Sequence, residues 1–156
     1  RVDRHLDPAR SHGLPAFLAA DPGVDSGLML AQYTAAALVS DCRRLATPAS
    51  VDSIPTSAMQ EDHVSMAWAA ALKLRRVVDN FARVLAIEVM TASRAVELRA
   101  PHQPAPATRR VLEGVRGQVR GIGPDRYLAP EVDLMTGLVT SGHILAWAES
   151  VTGPLR

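Results

Sequence analysis

The sequence predicts an all-α fold, a bundle of long helices, and three observations support this prediction. Aromatic residues make up only 4% of the 156 residues while 47% are hydrophobic, so Ala, Leu and Val must fill most of the core. Apolar residues also recur at alternating spacings of three and four through a long central segment, as in a bundle helix. As a helix of about 40 residues, that segment would be about 60 Å long, which exceeds the diameter of so small a domain. Much of its apolar face is therefore expected to pack on chain outside these residues.

The first part of the chain, residues 1–25, is expected to form an ordered loop. Pro, Gly and Asp are frequent from Pro8 onward, with a few apolar residues between them as anchors. The opening segment has no helix cap and looks like a cut through a longer chain. Ser26 then offers a cap for a first helix over residues 26–45, which basic residues close at its negative end.

A polar, Pro-containing connector from Thr47 to Met66 follows, and it holds the densest set of groups able to do chemistry. Within it, the run from Ser57 to Gln60 (SAMQ) matches the capping box, in which Ser and Gln side chains satisfy free backbone N–H groups at a helix start. The long helix is therefore expected to begin at Ala58 and to end at Leu98 or Arg99. The helices of residues 26–99 would then form the core of the bundle.

This helix start predicts the environment of three polar residues. Gln60, Glu61 and Asp62 would occupy the first helical turn, where exposed N–H groups and the helix dipole favour anions. Glu61 should accordingly be held as a carboxylate. Acidic residues in a first turn are, however, usually only capping groups.

The apolar seam of the long helix contains one acidic residue. Glu88 should be held by a structural salt bridge or an intersubunit hydrogen bond, because a buried carboxylate needs a partner. Off the seam, Asp79 and Arg83 have the spacing of an i,i+4 ion pair. The predicted seam consists of Leu74, Val78, Phe81, Leu85, Glu88, Ala92 and Ala95.

The end of the chain is predicted to be helical again. Residues 100–107 contain three prolines and form the clearest linker, and residues 108–156 follow as terminal helices. The last helix is expected to run from Pro130 to Val151, although Gly137 and Gly142 within it each cost about 1 kcal/mol relative to Ala.

Composition excludes several classes of function. The 17 basic and 16 acidic residues are spread along the chain and leave a net charge of +1, so neither nucleic acid nor an anionic membrane is an expected partner. The longest nearly apolar run, residues 27–39, is too short to span a bilayer. One cysteine, Cys42, and no signal-peptide pattern at the amino end predict a cytoplasmic protein.

Three kinds of site are also unsupported. The five histidines are scattered, so no metal site is expected. No Gly-rich phosphate loop follows a strand, and the serines of the connector are more simply caps and turn formers than nucleophiles. Glu61 remains the main candidate for chemistry.

Several runs resemble the histidine ammonia-lyases, within the aromatic amino acid ammonia-lyase family. Together they cover most of the first hundred residues, which makes chance a poor explanation. The runs are Pro48 to Ser57 (PASVDSIPTS), Gln60 to Met66 (QEDHVSM), Ser11 to Pro15 (SHGLP), Phe17 to Ala19 (FLA), Asp25 to Met29 (DSGLM), and Ala31 with Gln32.

The resemblance implies roles for particular residues. Glu61 matches the glutamate that faces the substrate's imidazole, and Met29 matches a side chain lining the same pocket, with Gln60 as a further substrate-binding residue. Residues 47–60 would thus be an active-site loop. Met59 departs from the pattern, because many of these enzymes have a small or polar residue there, and it could alter the pocket wall.

The resemblance also implies a reaction, the removal of ammonia from L-histidine to give trans-urocanate in a cytoplasmic homotetramer. The family uses a 4-methylidene-imidazol-5-one (MIO) prosthetic group made from an internal Ala-Ser-Gly, which these 156 residues do not contain. This chain therefore resembles the carboxyl-terminal portion of such an enzyme and is expected to be inactive alone. Its site would be completed by the remainder of the enzyme chain and by other subunits.

Two alternatives stay open. The chain could belong to a family member acting on phenylalanine or tyrosine, against which Glu61 argues, because a phenyl ring gains nothing from a desolvated carboxylate. It could also be a helical assembly module without catalysis. An upstream Ala-Ser-Gly in the parent gene would favour the enzyme.

Overall fold

The computed structural model describes residues 1–155 and confirms the all-α prediction. The chain forms six α-helices and three short 3-10 turns, and no β-strand occurs within those residues. The helices are α1 (Val2–Leu6), α2 (Met29–Leu45), α3 (Ala67–Glu97), α4 (Pro106–Arg116), α5 (Ala129–Thr140) and α6 (His143–Thr152). The 3-10 turns are Ala16–Leu18, Ala49–Val51 and Ser57–Met59.

The central helix α3 packs antiparallel against α2. Asp41 of α2 accepts a hydrogen bond of 3.0 Å from Asn80 Nδ2 and lies 3.5 Å from Arg76. Toward the other end of the pair, Ala35 of α2 belongs to one apolar cluster with Ile87 of α3. The register of the two helices is therefore fixed at two positions.

Two apolar clusters make up the core, and α3 contributes to both. The first joins α1, the 3-10 turn after it, α2 and α3 around Leu18 and Ile87, which are fully buried. The second lies on another side of α3, where Met90 meets Val115 of α4 and Met135 of α5. The second half of α3 is thus enclosed by helices from both ends of the chain.

The first half of α3 is far more exposed than the second. Leu74, Val78 and Phe81, the first three residues of the predicted seam, are 57–63% exposed. Among residues 1–155 the buried face of α3 is formed instead by residues such as Ala82, Ala86, Ile87, Met90 and Thr91. Packing of the seam on chain outside these residues stays a prediction, and the exposed side chains are the ones that such packing would cover.

The predicted start of the long helix is wrong by nine residues. Ser57, Ala58 and Met59 have φ values of 52°, 51° and 73°, so this segment is left-handed and cannot open a right-handed helix. Helix α3 begins only at Ala67, after the N-cap residue Met66, whose side chain makes no capping hydrogen bond. The Ser57–Gln60 capping box is therefore not formed.

The first helix also begins later than predicted. Ser26 is not its cap, since α2 starts at Met29 with Leu28 in the N-cap position. The reason lies in Gly27, whose φ of 58° places it in the left-handed region just before the helix. The C-terminal end at Leu45, with Arg43 and Arg44 in the last turn, agrees with the prediction.

Two further expectations about helices need correction. Residues 1–25 are not entirely loop, because α1 forms a short helix whose residues Val2 and Leu6 are buried. The predicted last helix is two helices, broken where Gly142 adopts a φ of 78°, whereas Gly137 is accommodated inside α5.

Within residues 1–155, no helix is both long enough and apolar enough to cross a membrane.

Charged residues on α3 find partners on other elements. Glu88 pairs with Arg1, whose Nη2 donates a hydrogen bond of 2.9 Å, so a salt bridge does hold this carboxylate. The predicted Asp79–Arg83 pair is replaced by a contact of 3.7 Å from Arg83 to Asp133 on α5. Arg94, also on α3, is buried at 4% exposure.

Candidate functional site

The connector between α2 and α3 is anchored at its root by Lys73. The Lys73 ammonium of α3 donates a hydrogen bond to the carbonyl oxygen of Thr47, which ties the start of the connector to the second turn of the helix. A largely apolar cavity of about 340 Å³ lies at this root, between Leu45 and Thr47 on one side and Lys73 and Leu74 on the other. The loop thus starts from a fixed point on the helix pair.

Beyond its root, the connector folds into a hairpin over residues 53–64. Ser53 Oγ accepts a hydrogen bond of 2.8 Å from the Val64 N–H and donates one of 3.1 Å to the Val64 carbonyl. Further out, the Thr56 N–H donates to the Glu61 carbonyl at 3.0 Å, and the Glu61 N–H donates to the Thr56 carbonyl at 3.4 Å. The Gln60 N–H, which the predicted capping box would have paired with the Ser57 hydroxyl, donates instead to the Ser57 carbonyl at 3.0 Å.

The hairpin presents Gln60 and Glu61 to the outside. Both residues are exposed, and within residues 1–155 the Glu61 carboxylate takes part in no hydrogen bond and no ion pair. The helix dipole cannot act on Glu61 as predicted, because α3 begins six residues later. What the structure offers instead is a carboxylate free to accept hydrogen bonds from a ligand.

The turn that precedes Gln60 is conformationally strained. Three consecutive non-glycine residues, Ser57, Ala58 and Met59, have positive φ, and such conformations cost on the order of 1 kcal/mol or more each. Strain of this kind persists only where the surrounding structure enforces it, and it clusters at functional sites. The hairpin geometry therefore supports a functional role for the residues that follow the turn.

Met29, the other predicted site residue, is the first residue of α2 and is half-buried. The backbone just before it is held by Asp125, whose carboxylate accepts hydrogen bonds of 2.7 Å from the Ser26 N–H and 2.8 Å from the Gly27 N–H. The Asp125 N–H in turn donates to the Asp25 carboxylate at 3.3 Å. A residue about one hundred positions away thus fixes the start of α2.

Within one chain, the structure does not bring Met29 and Glu61 together. Met29 lies 12 residues before Asp41 on α2, and Ala67 lies 13 residues before Asn80, its counterpart on the antiparallel α3. At 1.5 Å per residue, Met29 and Ala67 are about 37 Å apart along the helix pair. The six residues from Ala67 back to Glu61 can span at most about 21 Å of that distance when fully extended. The two residues therefore belong to opposite ends of the α2–α3 pair.

Replacing Asp125 by Asn is expected to make stability less sensitive to acid. The N–H groups of Ser26 and Gly27 hold the pKa of Asp125 below its ordinary value of 3.8. A carboxyl group with a lowered pKa in the folded state stabilises the protein above its unfolded pKa, and that contribution is lost as pH falls through the folded pKa. Melting temperatures of wild type and Asp125→Asn should therefore differ near neutral pH and converge below about pH 4.

The matched control for this prediction is Asp62→Asn. Asp62 is also exposed, and its side chain forms no hydrogen bond within the described part of the chain. Its replacement should leave the melting temperature close to that of the wild type at each pH. A difference between Asp125→Asn and wild type that is the same at all pH values would show that the carboxylate charge of Asp125 is unimportant.

Sequence reasoning did not identify Asp125 or Arg94, since neither carries a local signal. Asp125 follows Gly123-Pro124, a turn pattern, and only its distant backbone partners reveal its role.

Among the described residues, no group of three or more His, Cys, Asp or Glu side chains is placed to hold a metal ion. The candidate site thus consists of an exposed carboxylate and the polar groups of one hairpin.

Comparison with known proteins gives a consistent result. The sequence pattern of the family described as aromatic amino acid lyase matches residues 1–117. A histidine ammonia-lyase from Streptomyces coelicolor is 63% identical over 157 aligned residues, which cover 100% of this chain and 31% of that protein. The chain therefore spans about a third of the length of the curated relatives it matches.

Solved structures agree with the sequence relatives. A histidine ammonia-lyase from Trypanosoma cruzi superimposes with a TM-score of 0.90 at 39% identity, covering 96% of this chain and 29% of that one. A tyrosine aminomutase from Streptomyces globisporus also gives a TM-score of 0.90, at 36% identity, with 99% of this chain and 30% of that one covered. Since the family pattern covers three quarters of the sequence, this helical chain belongs to the aromatic amino acid lyase family.

Proposed function

We propose that this chain is the part of a histidine ammonia-lyase that presents a carboxylate to the substrate. The whole enzyme would remove ammonia from L-histidine without oxidation and release trans-urocanate. The observation that supports this most is Glu61, an exposed carboxylate without a partner in the described residues, at the end of a strained hairpin turn. The high identity to a histidine ammonia-lyase over the whole chain supports the same substrate.

A carboxylate suits an imidazole ring for two physical reasons. It accepts a hydrogen bond from a ring N–H, and a charge-assisted hydrogen bond is about twice as strong as a neutral one. A negative charge beside the ring also favours its protonated form. Glu61 would therefore orient the substrate by its side chain, with Gln60 next to it as a further polar contact.

The prosthetic group of the family cannot come from these residues. MIO supplies the electrophile for ammonia elimination in the family, and it is made from Ala-Ser-Gly. That tripeptide does not occur in the 156 residues, so the side chains present here do not fit the role of forming or carrying the group. We assign to this chain only binding and orientation of the substrate.

The separation of Met29 from Glu61 supports a site shared between subunits. Met29 and Glu61 of one chain are separated by about 16 Å or more along the helix pair, so both are not expected to line one pocket around a single histidine molecule. If Met29 lines the pocket as the resemblance implies, it would come from a different subunit than Glu61. The exposed apolar residues of α2 and α3, among them Leu30, Tyr33, Leu74 and Phe81, offer a surface for such an assembly. We propose a homotetramer in the cytoplasm, in keeping with the single free Cys42.

A second candidate function is suggested by the structural likeness to a tyrosine aminomutase. An enzyme for phenylalanine or tyrosine would have to desolvate Glu61 against an uncharged ring, which costs free energy without a hydrogen bond in return. A helical assembly module without catalysis is the remaining alternative. It would not need the strained turn that precedes Gln60.

The proposed function is tested by the absorbance of urocanate in the near ultraviolet. The intact enzyme should convert L-histidine to urocanate and should act much less on phenylalanine and tyrosine. A preference for either of those amino acids would favour the second candidate, and no activity on any of them would favour the assembly module.

The isolated 156-residue chain is expected to produce no urocanate, because it cannot form the electrophile. The assay is the same, and the intact enzyme serves as the positive control. Sustained turnover by a preparation shown by mass spectrometry to contain only this chain would contradict the prediction.

A further inference from the structure

Arg94 is the one guanidinium on α3 that is almost completely removed from water. It is 4% exposed, and among the described residues its side chain makes one hydrogen bond, of 3.2 Å from Nη2 to the carbonyl oxygen of Gly123. Its Nε is buried and has no hydrogen-bond partner within residues 1–155. A buried charge without a close counter-charge is costly, so this arrangement calls for a compensating group.

The neighbouring arginines do not have this problem. Arg116 is held by both carboxylate oxygens of Glu97, and Arg126 donates to both oxygens of Glu131 at 2.6 and 3.0 Å. The carboxylates of Glu97 and Glu131 are therefore already paired with Arg116 and Arg126. Burial, together with the positive charges of Arg126 and Arg116, lowers the pKa of Arg94, while Asp125 and Asp25 act more weakly in the opposite direction.

A small cavity of about 10 Å³ lies where these side chains meet. Its lining includes Arg94, Arg116, Arg120 and Arg126, against a single acidic residue, Glu131. That volume is the space one small spherical species needs. A polyatomic anion such as a carboxylate or a phosphate is too large for it, which leaves a single ion or a water molecule.

We propose that this cavity is a binding site for a monatomic anion, chloride, which neutralises Arg94. The anion would accept a hydrogen bond from Arg94 Nε and would lie among guanidinium groups that outnumber the carboxylates around it. Because Arg94 also holds the Gly123 carbonyl, the anion would stabilise the 121–126 segment against α3. This site is separate from the Glu61 hairpin and does not depend on the proposed function.

The test compares salts at equal ionic strength during thermal unfolding of the intact enzyme. Sodium chloride and sodium bromide should raise the melting temperature in a saturable way by about 2 °C or more, and sodium gluconate, whose anion is too large, should not. Arg94→Met should abolish the difference between chloride and gluconate. Arg109→Gln, which changes an exposed arginine on α4, should leave the difference intact.

A second measurement keeps the proposal testable if Arg94→Met does not fold. Crystals of the wild-type enzyme grown in bromide should show an anomalous peak within hydrogen-bond reach of Arg94 Nε. Density there without an anomalous signal would identify a water molecule and overturn the proposal. Equal melting temperatures in chloride and gluconate would overturn it as well.

Discussion

Replacing Glu61 by Gln in the intact enzyme is expected to lower kcat/KM for L-histidine by about 10- to 150-fold. The substitution keeps the size of the side chain and much of its hydrogen bonding but removes the charge. A hydrogen bond to a charged group contributes about 1.5–3 kcal/mol, which corresponds to that range if the bond is made in the transition state. Activity on phenylalanine should fall much less, because its ring cannot use the charge, so the preference for histidine should shrink.

The control for this prediction is again Asp62→Asn. Asp62 follows Glu61 directly, is also exposed, and is a carboxylate to which no contact with substrate is assigned. Its replacement should leave the ratio of kcat/KM for histidine and phenylalanine unchanged. If Glu61→Gln lowers the melting temperature but leaves the same ratio unchanged, Glu61 has only a structural role in the hairpin.

Replacing Gly27 by Ala is expected to destabilise the protein by about 2–5 kcal/mol, because two costs add. The φ of 58° at Gly27 is unfavourable for any residue with a Cβ atom. That Cβ would also lie 2.6 Å from the carbonyl oxygen of Phe17 and 2.9 Å from the Cα of Ala19. Both are backbone atoms, which cannot move aside as a flexible side chain could. The free energy of unfolding from urea denaturation measures the loss.

Gly13 provides the matched control for Gly27. Its φ of 83° is also positive, but apart from Gly13 and its two chain neighbours no residue comes within 4 Å of a Cβ built there. Gly13→Ala should therefore lower the free energy of unfolding only by the conformational cost, about 1–2 kcal/mol. If the two variants lose the same stability, the close approach of Phe17 and Ala19 to Gly27 does not contribute.

Much of the fold follows from local sequence patterns. The 3.6-residue periodicity correctly predicts α2, most of α3 and a helix after the linker, and the proline at the start of α5 has its expected position. The salt bridge of Glu88 also follows from elementary physics, because a carboxylate within an apolar seam requires a partner. These features depend on residues that are close in sequence or on a general cost of burial.

The errors have a common physical origin in contacts between distant parts of the chain. The sequence from Ser57 to Gln60 matches a capping box, yet the pairing of Ser53 with Val64 folds the segment into a hairpin instead. Ser26 could cap a helix, but Gly27 directly after it is left-handed, and the carboxylate of the distant Asp125 holds the N–H groups of Ser26 and Gly27. Neither partner can be recognised from the local sequence.

The candidate site rests on the family resemblance rather than on the helix argument. The capping pattern predicts Glu61 as a carboxylate in a first helical turn, whereas it lies in a hairpin six residues before α3. Only the resemblance links Glu61 to a substrate, and Met29 likewise depends on the resemblance alone. The distance between these two residues within one chain follows from the packing of α2 on α3, which the sequence does not specify.

The most direct test of the central claim is a crystal structure of the intact enzyme with bound L-histidine or an unreactive imidazole analogue. We expect a Glu61 carboxylate oxygen within about 3.2 Å of an imidazole nitrogen, the range of a direct hydrogen bond. An imidazole bound in the active site with Glu61 beyond hydrogen-bonding distance, and no water between them, would contradict the account.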